Sequence, residues 1–80
     1  MPIRVFRNGT WYEYEPPTST SSLWNESYKL RAASLYVSAQ LKGFTKEESE
    51  TLAECLIHQD LYPGIRYSKR IQSKLQSLFV

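Results

Sequence analysis

The 80-residue sequence predicts an α+β fold in which an N-terminal β-hairpin packs on a three-helix unit, in the order ββααα. Asn8-Gly9 stands between two short runs of β-branched and aromatic residues, which is the strongest short-range signal for a hairpin. After residue 23, apolar residues recur at the spacing of amphipathic helices. The length suits one hydrophobic core, so we expect a single domain over 1–80.

The hairpin is expected over residues 2–15, closed by a two-residue turn at Asn8-Gly9. That loop places Phe6 opposite Trp11 and Arg4 opposite Glu13, a favourable pair of opposite charges. One face then carries Ile3, Val5, Tyr12 and Tyr14, and the other carries Arg4, Phe6, Trp11 and Glu13. We expect the first face to join the core, because an isolated hairpin is barely stable in water.

Residues 16–22 are predicted to be a connector, since two prolines favour extended backbone and the serines and threonines that follow offer helix caps. The first helix is expected over 23–42, ending near Gly43. Its apolar residues form two stripes on nearly opposite sides, one of Trp24, Tyr28, Ala32, Leu35 and Ala39 and one of Leu30, Ala33, Val37 and Leu41. This pattern predicts a central helix between the hairpin and the other helices, with a homodimer contact over one stripe as the alternative.

The second helix is expected to begin at Thr45, because Thr45 and Glu48 have the spacing of a capping box. Its outer face is expected to carry Glu47, Glu50, Glu54 and His58. Tyr62-Pro63-Gly64 predicts a tight turn after it. The third helix is predicted over about 66–79, with apolar residues at the spacing of one buried face.

The sequence gives little indication of a catalytic site or a metal site. Cys55 and His58 stand three residues apart on the second helix, but a structural zinc site needs four ligands and the sequence has one cysteine and one histidine. The three glycines form no phosphate-binding loop. We therefore predict no enzyme activity, no metal and no cofactor.

Two surfaces are candidate binding sites. Trp, Tyr and Arg are enriched at protein interfaces, and the predicted partner-binding residues are Arg4, Phe6, Arg7 and Trp11 on the hairpin. An unpaired hairpin edge also offers strand addition to a partner's sheet. The first hypothesis is therefore a small non-enzymatic protein-interaction module that acts as a regulator, adaptor or inhibitor of a larger protein.

The charge pattern supports the alternative of a DNA- or RNA-binding regulator. Residues 45–62 carry a net −4 and residues 63–80 a net +4, although the whole chain is only at +2. The basic residues of the third helix and a neighbouring tyrosine would contact phosphates, namely Arg66, Tyr67, Lys69, Arg70 and Lys74. The alternative is a purely structural role, in which this helix only packs against the acidic second helix.

The location is predicted from the cysteine content and the hydropathy. A domain this small without disulfides is most plausible in a reducing compartment, so we expect a cytoplasmic protein. The longest apolar runs are only a few residues, far below the roughly 18–20 that cross a bilayer, so no membrane partner is expected.

Overall fold

The predicted α+β class is confirmed by the computed structural model, which describes residues 2–16 and 24–79. Two antiparallel strands precede three helices: β1 (Ile3–Arg7), β2 (Thr10–Tyr14), α1 (Glu26–Leu41), α2 (Lys46–Leu61) and α3 (Lys69–Ser77). Of the connector expected at 16–22, only Pro16 lies within the described residues.

The hairpin has the expected turn and the expected register. Asn8 and Gly9 have φ angles of 52° and 77°, the positive values that a type I′ turn requires at both central positions. Phe6 therefore pairs with Trp11, and Arg4 pairs with Glu13. Because the side-chain period of a strand is two, this register fixes which face meets the helices.

Helix α1 begins after Asn25, whose side chain accepts a hydrogen bond from the Tyr28 amide. It ends at Leu41, and Gly43 follows with a φ of 103°, the left-handed conformation that favours glycine after a helix. The predicted end near Gly43 is confirmed. The predicted start at 23 was too early, because Trp24 and the cap Asn25 precede the helix.

Helix α2 has the predicted capping box. The Thr45 hydroxyl accepts from the Glu48 amide at 3.1 Å, and the Glu48 carboxylate accepts from the Thr45 amide at 3.3 Å.

Helix α3 is shorter than predicted, because Ser68 caps it and accepts a hydrogen bond from the Ile71 amide. The expected start at 66 was therefore wrong, and Arg66 and Tyr67 precede the helix.

The core consists of two adjoining clusters. The first contains Tyr14 from the hairpin, Trp24, and buried side chains of α1 and α2. The second joins the end of α1 to α2 and α3 through Ala39, Leu52 and Leu75. Helix α1 therefore contacts the hairpin on one side and α2 on another, as its two apolar stripes predict.

The second stripe of α1 is only partly covered. Ala33 and Val37 are buried, whereas Leu30 and Leu41 are exposed. Among the described residues, no helix combines the length and the apolar character needed to cross a membrane.

The expectation that the outer face of α2 is exposed is confirmed for Glu47 and wrong for the other three residues. Glu50, Glu54 and His58 are all half-buried. The edge of the His58 ring meets the Trp24 indole, with the ring centroids 5.7 Å apart. Tyr14 is also buried close enough to Glu54 for that carboxylate to raise the pKa of its phenol. Trp24, just before α1, and Tyr14, at the end of β2, thus cover a face of α2 that the helical pattern alone assigns to solvent.

Candidate partner-binding surface

The exposed face of the hairpin carries two aromatic side chains in direct contact. In a two-residue hairpin the positions next to the turn form a hydrogen-bonded pair, so the next pair, Phe6 and Trp11, is non-hydrogen-bonded. Side chains approach most closely at such positions. The Phe6 and Trp11 rings meet edge to face, with centroids 5.1 Å apart and an interplanar angle of 69°.

Both rings remain open to solvent. Phe6 is 57% exposed and Trp11 is 66% exposed, whereas Tyr14, on the opposite face of β2, is 1% exposed. The ribbon therefore sorts its aromatic residues into a core side and a solvent side, as its alternation predicts. The large exposed rings add little to the monomer's core beyond their contact with each other.

A pair of opposite charges stands beside the two rings. Arg4 Nε lies 3.9 Å from Glu13 Oε2, and both side chains are well exposed, so this ion pair contributes little to stability. Arg4, Trp11, Tyr12 and Glu13 line a shallow depression of about 280 Å³. We refer to Arg4, Phe6, Trp11 and Glu13 as the aromatic face.

Arg7 lies apart from the aromatic face, although the sequence analysis grouped it with these residues. Its guanidinium reaches toward α1 and donates long hydrogen bonds to the Ser38 hydroxyl at 3.4 Å and the Ser34 hydroxyl at 3.5 Å. The alternation of β1 already indicates this, since Ile3, Val5 and Arg7 share one face.

The second predicted surface, around α3, is divided by the fold. The Lys74 ammonium donates to the Glu48 carboxylate at 2.9 Å, and this hydrogen bond is the main cause that holds the pKa of Glu48 below its usual range. The Tyr67 hydroxyl donates to the Cys55 carbonyl at 3.4 Å, and its own pKa rises to about 12, mainly through burial. Lys74 and Tyr67 therefore contact α2, which is the packing role that the sequence analysis gave as the alternative to nucleic-acid binding.

Three cations of that surface remain exposed, namely Arg66, Lys69 and Arg70. Within the described part of the chain, none of them forms an ion pair. They lie at the start of α3 and in the segment before it. The region of the basic surface that is open to an anion is therefore smaller than the sequence pattern indicates.

Cys55 and His58 do not form a reactive pair in this structure. Cys55 is buried, and burial raises the pKa of its thiol, which disfavours the thiolate that would act as nucleophile or metal ligand. The His58 ring packs against Trp24. In residues 2–16 and 24–79, the His, Cys, Asp and Glu side chains form no group of three or more that could hold a metal ion.

Sequence reasoning missed a second groove beside the hairpin. Glu13, Glu15, Lys46 and Glu50 line a space of about 330 Å³ between the end of β2 and the start of α2. Glu13 lines both this groove and the depression on the aromatic face. No local pattern links the two segments, because 30 residues lie between Glu15 and Lys46 and only the tertiary packing brings them together.

The chain has no recognisable relative among the proteins compared with it: no protein family, no curated protein and no solved structure matches it.

Proposed function

We propose that this protein is a small non-enzymatic interaction module that binds a larger protein through the aromatic face and acts as its regulator, adaptor or inhibitor. The observation that carries the proposal is the exposure of Phe6 and Trp11, which contact each other on the side of the hairpin away from the core. Large aromatic side chains bury the most area for the least loss of side-chain entropy, and Trp is enriched at binding hot spots.

The arrangement of the aromatic face suits a protein partner. Its centre is apolar, since the two rings touch, and its rim carries the Arg4–Glu13 pair. An apolar centre with a polar rim is the usual anatomy of a protein interface. Desolvation of Trp11 on binding would supply the favourable free energy, whereas the exposed ion pair would mainly set the orientation.

The remaining features of the proposal follow from other residues. We propose no catalytic role for Cys55, because its thiol is buried and its pKa is raised. The free cysteine suits a reducing compartment, so we propose a cytoplasmic protein. A homodimer through the exposed Leu30 and Leu41 of α1 is a further proposal, which sedimentation velocity of the purified chain tests.

The test is a comparison of Trp11→Ala with Phe79→Ala. Trp11 and Phe79 are 66% and 67% exposed, so their substitutions remove aromatic rings of similar accessibility on different surfaces. We expect Trp11→Ala to reduce capture of the protein partner from host lysate at least about tenfold, the loss typical of a hot-spot residue, with the melting temperature nearly unchanged. Phe79→Ala is expected to retain capture.

Two results would contradict the proposal. Equal capture by wild type and Trp11→Ala would remove the aromatic face as the binding site. A large fall in melting temperature for Trp11→Ala would make Trp11 a structural residue instead, as circular dichroism would show.

The second candidate function is nucleic-acid binding, and the exposure of Arg66, Lys69 and Arg70 favours it. Nuclease treatment of the lysate separates the two candidates, because a nucleic-acid partner is lost and a protein partner is retained. Binding through these cations would fall steeply with salt and vanish when all three become glutamate, as gel-shift assays would show. The mild net charge of +2 makes this the weaker candidate.

A further inference from the structure

Within residues 2–16 and 24–79, no third strand pairs with either edge of the hairpin, so both edges present open backbone groups. The sheet in the described part of the chain has two strands, so each strand has one open edge. The residues of non-hydrogen-bonded pairs direct their N–H and C=O groups away from the partner strand. On β2 these residues are Trp11 and Glu13, and on β1 they are Phe6 and Arg4. The side chains of the aromatic face therefore belong to the residues whose backbone is open to an added strand.

Strand β2 lines two adjoining cavities in which carboxylates outnumber cations. The depression at Trp11 and the groove at Lys46 share Glu13, so together they follow β2 from the aromatic rings to the start of α2. Arg4 partly offsets the charge of Glu13. The remaining wall residues are Glu15, Glu50 and Lys46, so carboxylates outnumber the ammonium group.

The two edges differ in charge. Strand β1 carries Arg4 and Arg7 and no acidic residue, whereas β2 carries Glu13, is followed by Glu15 and has no basic residue. Electrostatic complementarity suppresses wrong partners as well as attracting right ones. A basic segment would be attracted to the β2 edge and repelled by the β1 edge.

We propose that the partner of this protein contributes a basic, extended segment that adds to the β2 edge as a third strand. The inference rests on the proposed function and specifies how the partner binds. The backbone groups of Trp11 and Glu13 pair with the added strand, and the Trp11 indole offers its face to a lysine or arginine of that strand. Glu13, Glu15 and Glu50 supply the complementary charge.

The direct test uses the full chain, labelled for NMR, and a blocked peptide of alternating lysine and threonine as the probe. The matched control peptide carries glutamate in place of lysine. We expect the basic peptide to slow hydrogen exchange of the Trp11 and Glu13 amides at least about tenfold at saturation, since these amides gain hydrogen-bond acceptors. The Phe6 and Arg4 amides are expected to keep their exchange rates.

A pair of substitutions at Glu13 tests the edge independently. Glu13→Pro and Glu13→Ala both remove the carboxylate that pairs with Arg4, but only Glu13→Pro also removes the outward N–H. Proline is tolerated on an edge strand where the N–H faces solvent, so both variants should retain the hairpin, as circular dichroism melts would check. We expect Glu13→Pro to bind the basic peptide at least about tenfold more weakly than Glu13→Ala does, because only the proline variant lacks the N–H that pairs with the added strand.

Several outcomes would overturn strand addition at β2. These are protection of the Phe6 and Arg4 amides in place of those of Trp11 and Glu13, equal binding of the acidic peptide, and no binding of the basic peptide. Equal binding of the basic peptide by Glu13→Pro and Glu13→Ala would show that the Glu13 amide does not pair with an added strand.

The lysate experiment separates the failure of this inference from that of the proposed function. If Trp11→Ala abolishes partner capture and Glu13→Pro does not, the aromatic face binds the partner and strand addition is wrong. If Trp11→Ala leaves capture unchanged, the proposed function fails, and the inference about the partner fails with it.

Discussion

Two ionisable side chains at the junction of the hairpin and α2, Tyr14 and Glu54, have pKa values that burial raises. Among the described residues the Tyr14 hydroxyl has no hydrogen-bond partner, and its pKa is raised, mainly by burial and further by Glu54 and Glu50. Glu54 is half-buried, and burial likewise raises the pKa of its carboxyl. The junction therefore lowers stability locally.

We predict that Tyr14→Phe stabilises the protein. The substitution keeps the ring contact with Tyr36, 5.3 Å between centroids, and removes only the unpaired hydroxyl. A buried unsatisfied polar group costs about 1–3 kcal/mol, so we expect the free energy of unfolding to rise by about 1 kcal/mol in urea titrations. Tyr62→Phe, at an exposed position, serves as the control and should change little. A loss of stability in Tyr14→Phe would mean that the hydroxyl has a hydrogen bond in solution.

A second prediction concerns Glu54→Gln and its dependence on pH. Burial is the largest influence on the pKa of Glu54 and raises it, His58 lowers it and Glu50 raises it, with a net rise above 4.5. The folded state therefore holds this proton more tightly than the unfolded state does, so ionisation of Glu54 reduces stability as the pH rises through the folded pKa.

Urea midpoints at a series of pH values check this prediction. Glu54→Gln should match wild type below the unfolded pKa, become the more stable protein as the pH rises past 4.5, and keep that advantage at neutral pH. A Gln variant that is less stable than wild type at pH 7 would show that the carboxylate has a stabilising partner.

At the residue scale, sequence analysis succeeds where local chemistry decides and fails where packing does. The outward position of Phe6 and Trp11 follows from the period of the strand. The burial of Glu54 and His58 depends on Tyr14 and Trp24, which come from elsewhere in the chain and cover α2. The helical pattern of α2 contains no sign of that cover.

At the scale of elements, Glu48 both caps the start of α2 and joins α2 to α3. Its carboxylate completes the capping box with Thr45 and also accepts a hydrogen bond from Lys74 of α3. The start of α2 and the position of α3 are thus coupled. This pairing accounts for part of the charge separation between 45–62 and 63–80 that the sequence shows.

We predict that Thr45→Ala destabilises the protein by about 1 kcal/mol, because the first turn of α2 loses its cap. Thr51→Ala is the matched control, since Thr51 is exposed within the same helix. Thermal melts followed by circular dichroism check both variants. Equal stability of Thr45→Ala and wild type would show that the cap contributes nothing measurable in solution.

The elements differ in how completely the sequence specifies them. The turn at Asn8-Gly9 determines the register of every pair in the hairpin, and Thr45 with Glu48 determines the start of α2. The start of α3 was misplaced because Arg66 and Tyr67 have no helix-breaking character, so only the cap at Ser68 marks the boundary. The groove beside β2 could not be predicted, since it exists only between elements.

At the scale of the whole molecule, the hairpin and the helices share one core. Ile57 is fully buried in the cluster that also contains Tyr14 and Trp24. A chain of this size has a total stability on the order of 4–12 kcal/mol. The loss of one large core side chain is therefore a substantial fraction of the total.

We predict that Ile57→Ala costs about 3 kcal/mol and that strands and helices unfold together. Helix content by circular dichroism and exchange of the Val5 and Tyr12 amides should give the same midpoint in urea. Leu30→Ala, at an exposed position of α1, should cost less than about 0.5 kcal/mol. Separate midpoints for the two probes would show that the hairpin opens independently of the helices.

The contact of Arg7 with Ser34 and Ser38 has a consequence for the kinetics of association. These bonds reach from the strand end beside the turn to the middle of α1, so the tip of the ribbon is held against a rigid helix. A partner that binds the aromatic face as proposed would meet rings that are already oriented, and little free energy would be lost to immobilising them. Substitution of Arg7 by alanine would let the tip of the hairpin move and would slow association with such a partner, although the side chains of the aromatic face are unchanged.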